Sequence, residues 1–357
     1  MNGTTRFFLV SGFGVVLAAS GAYAAGGAWT GAGDAKWTNS LNWTGATYPF
    51  GSDTATFNGQ SGNTTVDVGG LANIQNITFD TPNVTAYTLG TGATNSQTLV
   101  MGNNGTVQIG ANAAASQTFN CAIQLGTLTN GASFTFRSDN PAQALTLNKL
   151  FVPAAGPINT RTINIEGVGE TRILGDIQKG ASSFLTFNYN GVGTLTLAGN
   201  NQIGQLNING DPGSVINLAA GSTNTFYNAG GGNLVVSKDC TINGPGVLRL
   251  SDAGGEAYAD NGAASGKTLT INATLLGTGF EYYHGSYAGI IALNGTNLFT
   301  GQVLVNSAGT VSAKRFGNRG STTSGLGSGD FIRLNGGNAR ILYTGTGETT
   351  DRYLHFR

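Results

Sequence analysis

Hydrophobic and polar residues alternate along most of this chain in short runs broken by glycine and asparagine. In residues 191–210, Leu195 and Leu197 fall on one side of a pleat while Thr194, Thr196 and Ala198 fall on the other, because successive side chains of a strand point to opposite faces. A second copy occupies 293–306. There Gly295, Asn297, Phe299, Gly301 and Val305 answer Gly199, Asn201, Ile203, Gly204 and Ile208. Comparable runs lie at 64–68, 74–79, 98–101, 106–109, 134–136, 145–147, 162–165, 172–174, 184–187, 215–218, 234–236, 247–250 and 269–271. Half-buried strands of about five residues, spaced roughly 8 to 14 residues apart, are the reading this pattern supports.

Such spacing fits a β-sandwich or a β-solenoid. A single sandwich of this length is improbable on size, whereas a solenoid grows by adding turns, here expected at about 20 to 25 residues each. Parallel strands covered by helices on both sides read as continuous apolar runs; in a hollow solenoid only the inner face is dry, so alternation survives. Helical periodicity is essentially absent, and the internal similarity argues for one elongated unit.

The beginning of the chain reads differently. One arginine within residues 1–6, an apolar run over 7–19 too short to span a bilayer, and Ala22-Tyr23-Ala24 as a small-x-small cleavage site predict a signal peptide over 1–24. The 58 glycines among 357 residues, with abundant Thr and Asn, suit strands joined by tight turns. The 17 basic and 17 acidic residues cancel without a dense basic cluster, which argues against a nucleic-acid partner. Lys314, Arg315 and Arg319 read as a solvated turn. Cys121 and Cys240, far apart in a stack, are expected to be free, buried thiols, since a bridge needs Cα atoms within about 7 Å.

All three tryptophans, Trp29, Trp37 and Trp43, lie in a segment that stands apart, 25–60. They read as a cap over the open end of a core, with a carbohydrate-stacking platform as the alternative; the repeat array is expected over 61–357. The opening Trp-x-Gly-x-Gly-Asp-x-x-Trp with Asn42-Trp43, the Gly-Thr-Leu-Thr-Leu-x-Gly-x-Asn of 193–201, its echo at 293–306, and the run 325–337 resemble autotransporter-associated β-strand repeat proteins of bacterial surfaces. Phe299-Thr300-Gly301 keeps the aromatic-Thr-Gly of such repeats, and Ile203-Gly204 departs from it. The resemblance implies an all-β, right-handed parallel β-helix of the pectin-lyase-like kind, a bacterial source, and secretion or surface exposure. It transfers no catalytic residues.

Motifs for chemistry are sparse. The two histidines, His284 and His355, have no metal-ligand spacing, and no Gly-x-Ser-x-Gly elbow occurs. Residues 261–268 end like a phosphate-binding loop but begin with Asn261 where glycine is required. The strongest enzyme candidate is 281–287, with Glu281 and one of Asp252, Glu256 or Asp260 as paired carboxylates beside aromatics. Tyr282, Tyr283, His284 and Tyr287 are the candidate glycan contacts. The expectation is a non-catalytic extracellular or cell-surface β-helix without metal or cofactor, structural or adhesive, meeting glycans or surface proteins; the alternative is a polysaccharide-degrading hydrolase or lyase. Because 331–334, 340–343 and 351–357 are still strand-like, the array is expected to continue beyond Arg357, with outer-membrane attachment supplied by that missing part.

Overall fold

The computed structural model describes residues 26–357 except 46, 70–71, 127–130, 154–158, 181–182, 211–212, 228–233, 251–259, 283–287 and 307. The expected signal peptide lies outside the described residues. The chain is all-β, a parallel β-helix of about 11 turns. Among the described residues the helical content is one short 3-10 turn, Ser40–Asn42.

Each turn contributes to three faces. The first runs from Gly27–Ala28 and Gly51–Thr56, through Ala132–Ser138, Asn159–Gly167 and Ser183–Tyr189, to Phe331–Asn335 and Tyr353–Phe356. The second runs from Thr65–Val66 and Thr88–Leu89, through Thr194–Leu197 and Ser214–Leu218, to Thr310–Ala313 and Arg340–Tyr343. The third is a ladder of Asn200–Ile203, Thr223–Phe226, Val247–Arg249 and Thr274–Leu276. Toward the N-terminus the third face is made by strands that bend around a corner. Thr98–Ile109 and Gln117–Leu125 each serve two faces, with register breaks at the bends of their ladders.

Inward positions stack like upon like. Phe134, Ile163, Phe187, Leu206 and Leu234 follow one another in register and are all buried, with the threonines and asparagines between them turned outward. Each fully buried side chain of this kind contributes roughly 1.5 to 3 kcal/mol against the ordering entropy of its turn. In the opening repeat, Leu195 and Leu197 are indeed the buried pair.

The turns are not uniform. Val107 pairs with Phe136 and Phe134 with Ile163, whereas Phe187 pairs with Leu206. The N-terminal turns therefore exceed the expected period, because their third face is built by the extended arms of bent strands. Thr98–Ile109 is accordingly one strand where alternation suggested two.

At the N-terminal end the three indoles are buried: Trp37 and Trp43 lie 4.9 Å apart, Trp29 and Trp43 5.1 Å, and Trp43 and Phe57 5.8 Å, all edge to face. Their N–H groups donate to Asn63 O, Pro49 O and Trp37 O. With their rings covered they close the core and offer no face for a sugar to stack on. Asn42 explains the flanking Gly-Asp and Asn-Trp pairs: its Oδ1 accepts from the Gly33 and Asp34 N–H groups, and its Nδ2 donates to Asp34 Oδ1 and Lys36 O. At the other end, Leu354 and Phe356 continue the inner rows of Ile332 and Leu334 and are exposed.

Both cysteines are free and buried. Five strand-to-strand steps of the second face separate their strands, about 24 Å at the usual ladder spacing.

Candidate functional site

The segment singled out for chemistry enters the first face at Phe280–Tyr282. Phe280 and Tyr282 point inward and are fully buried. The Tyr282 hydroxyl accepts from Ala263 N–H at 3.2 Å and lies 2.9 Å from Ala263 O and 3.3 Å from Gly289 O. Its ring lies where a Cβ on Gly309 would sit, which is why that position is glycine. Tyr282 is therefore a core residue and presents no surface to a glycan, a correction that follows from strand parity. Tyr283, His284 and Tyr287 lie outside the described residues, as do Asp252 and Glu256.

Glu281, between those two inward residues, takes the outward position, yet its neighbours leave it only 7 % exposed. The Asn306 amide donates to its Oε1. Asp260 is its register partner on the preceding turn, one of the three positions proposed to pair with it. The segment 261–268 forms the strand Asp260–Ala263, a turn and the start of Thr268–Ile271; it opens no helix, which removes the phosphate-loop reading.

From Glu281 the outward row continues through Leu304 to Arg333 and His355. The next outward row carries Asn306 and Asn335, with Arg357 following His355 by two positions. On the other side Phe331 and Tyr353 are register partners, exposed, with ring centroids 5.2 Å apart and planes inclined by 32°. The Arg333 guanidinium stands 5.4 Å from the Phe331 ring centre, and Arg319 stands 4.8 Å from that of Tyr353. Arg319 also pairs with Asp351 at 3.3 Å; this contact raises the guanidinium pKa and holds the carboxyl below its ordinary range, where the backbone N–H of Arg319 is the largest cause.

Between these side chains lies a cavity of about 150 Å³, bordered by Gln302, Leu304, Arg333, Asn335, His355 and Arg357. Arg333 Nε and Asn306 Oδ1 are both buried and without a hydrogen-bond partner. No cluster of three or more His, Cys, Asp or Glu residues suited to a metal occurs among the described residues.

Sequence reasoning passed over Arg333, Asn335 and Arg357. The signal was present in the correspondence of Phe331-Ile-Arg-Leu-Asn335 with Tyr353-Leu-His-Phe-Arg357, two strands of one face with aromatic, basic and polar residues at matching outward positions. The turn at 314–319 is solvated as expected, with Lys314, Arg315 and Arg319 all exposed; Arg319 pairs with Asp351 and Arg315 reaches Thr296 Oγ1 at 3.4 Å. Comparison with protein-family models, curated proteins and solved structures finds no match.

Proposed function

We propose that this chain is a non-catalytic β-helix of the bacterial surface or of secreted material, of the autotransporter-associated repeat type, acting as a rigid scaffold with adhesive contacts on its outer faces. The supporting observation is how its outward polar side chains are engaged with one another. Asn294 donates to Asn272, Asn272 to Asn243 and Asn243 to Asn217, at 3.2, 2.9 and 3.2 Å, across successive turns. On the first face, Asn207 donates to Asn188 and Asn188 to Asn164 in the same way. Such ladders stiffen a polar exterior along the stacking direction, as a role depending on persistent shape in water requires. The export part of the reading is tested by expressing the full gene in a Gram-negative host and assaying for the protein in medium and surface fractions. Accumulation of uncleaved chain in the cytoplasm alone sinks it.

A second reading, a β-helix glycan hydrolase or lyase, is favoured by the register pairing of Asp260 with Glu281. Release of reducing ends or unsaturated uronates from a panel of polysaccharides, abolished by Glu281→Gln, would replace the first reading with this one.

A further inference from the structure

We infer that the outer surface formed by Phe331–Asn335 and Tyr353–Phe356, with Arg357, binds an anionic polysaccharide, one bearing carboxylate or sulfate on its sugar rings. The inference rests on the adhesive reading above and gives it a site and a ligand class.

Three features of the surface converge. First, its positive groups are concentrated: Arg333 borders the cavity, and Arg357 lies two positions beyond His355, the register partner of Arg333. Among the nearby acids, exposed Asp330 stands at the start of the strand, next to Phe331. Glu281 is separated from Arg333 by Leu304 and already receives the Asn306 amide, while Asp351 is engaged by Arg319. In a chain whose formal charges cancel, this is a local excess directed at one cavity.

Second, the aromatic rings beside the cations are exposed and only moderately inclined to each other, a platform that spans two adjacent turns. Pyranose rings present C–H faces that pack on such surfaces, as other amphipathic groups do. Arg333 lies against Phe331, which fixes its planar fork and leaves its edge for bidentate pairing with an oxyanion.

Third, the few cations here are too small an electrostatic footprint for a nucleic-acid strand.

The test is affinity electrophoresis and calorimetry of the purified full-length protein with alginate, dextran sulfate, neutral dextran and duplex DNA. Alginate or dextran sulfate is expected to bind, with affinity falling as salt rises, and neutral dextran is expected not to bind. The alginate and sulfate arms decide which anion is preferred. Arg333→Gln and Arg357→Gln should each weaken binding roughly tenfold. Tyr353→Ala should weaken it with charge unchanged, and unaltered thermal midpoints would show that the variants are folded. Equal binding of neutral and acidic dextrans, tighter binding of DNA, no binding to either anionic polymer, or folded variants with unchanged affinity would each overturn the inference. Release of reducing ends in the same samples would sink the non-catalytic reading and leave the binding site standing.

Discussion

Asn201 and Asn297, four turns apart on the inner side of the third-face corner, make the same hydrogen bond: the Oδ1 of each accepts a backbone N–H of the preceding turn, from Ile177 at 2.8 Å and from Leu275 at 2.9 Å. Both are fully enclosed, and each amide also donates, Asn201 to Asn224 Oδ1 at 2.7 Å and Asn297 to Gly325 O at 2.6 Å. The Gly-x-Asn of the two repeats thus has a physical cause. The glycine lets the chain pass close to a carbonyl of the turn below, Gly175 for Gly199 and Ala273 for Gly295, and the asparagine two residues later satisfies the backbone that the corner leaves unpaired.

Asn297→Ala is therefore expected to lower stability by about 1 to 3 kcal/mol, the cost of leaving a buried donor and acceptor without partners. Asn201→Ala should cost at least as much, since it also strands Asn224. Urea denaturation checks both. A shift in midpoint no larger than that of an exposed control such as Asn209→Ala would show that these amides do not hold the corners.

These asparagines also show where the sequence stopped being readable. Alternation located the first two faces because their inner positions are Leu, Ile, Val and Phe. On the third face, Asn200–Ile203 and Thr223–Phe226 place Asn201 and Asn224 at inner positions, and polarity there erased the signal. Arg161 shortened the readable run within Asn159–Gly167 to 162–165: it occupies an inner position, wholly buried, its Nε 3.4 Å from Leu125 O, and burial lowers its pKa. The binding surface was hidden for another reason. Its residues lie far along the chain from the aromatic segment 281–287, and register, which sequence does not give directly, brings Arg333 beside His355 and within two ladder steps of Glu281.

The thiols supply a second prediction. Burial pushes both Cys121 and Cys240 up to about 12. A thiol so placed stays protonated in the folded chain above pH 9, where the unfolded chain ionises, so the folded state holds more protons there. Stability is then fully present below the ordinary thiol range and falls as pH rises through about 9 toward 12. Native protein should be silent to thiol reagents at pH 8 and release two equivalents on unfolding. Cys240→Ala should flatten the alkaline loss of stability, measured as the difference in urea midpoint between pH 8 and pH 10. An unchanged slope would mean that other groups dominate.

A third concerns Arg352, a buried cation that binds carbonyls and no acid directly. Its Nε lies 3.0 Å from Phe316 O and Gly317 O, and its Nη atoms reach Asn318 O, Gly327 O and Gly329 O. One side chain thereby fastens the long loop between Thr310–Ala313 and Phe331–Asn335 to the turn that follows. Burial lowers its pKa, and Asp351, Asp330 and Glu348 act in the opposite direction. Arg352→Ala should release that loop and expose Lys314, Arg315 and Arg319 to trypsin. Limited proteolysis is expected to give a cut there at least about tenfold faster than in the parent. Equal rates would show that the loop is held by the Arg319–Asp351 pair instead.

The last prediction tests whether the outward asparagine ladders support the stack or merely decorate it. Asn243 is a link in the middle, donating through Nδ2 to Asn217 Oδ1 and accepting at Oδ1 from Asn272. Asn243→Ala removes both contacts at a half-exposed site, so a loss of about 0.5 to 1.5 kcal/mol is expected. Asn243→Asp keeps the acceptor toward Asn272 but turns a second oxygen toward the Asn217 oxygen, where a donor stood. The ionised form is disfavoured in the fold, which raises the folded pKa of the introduced carboxyl above its unfolded value. Stability of that variant is then greatest below about pH 4 and declines as pH rises through the raised value. Urea midpoints of the two variants at pH 3.5 and pH 7 decide the matter: the aspartate variant should match or exceed the alanine variant at the lower pH and fall below it at the higher. If the two variants keep the same order at both pH values, the Asn217 amide has rotated to accommodate the change, and the ladder imposes no fixed direction on its hydrogen bonds.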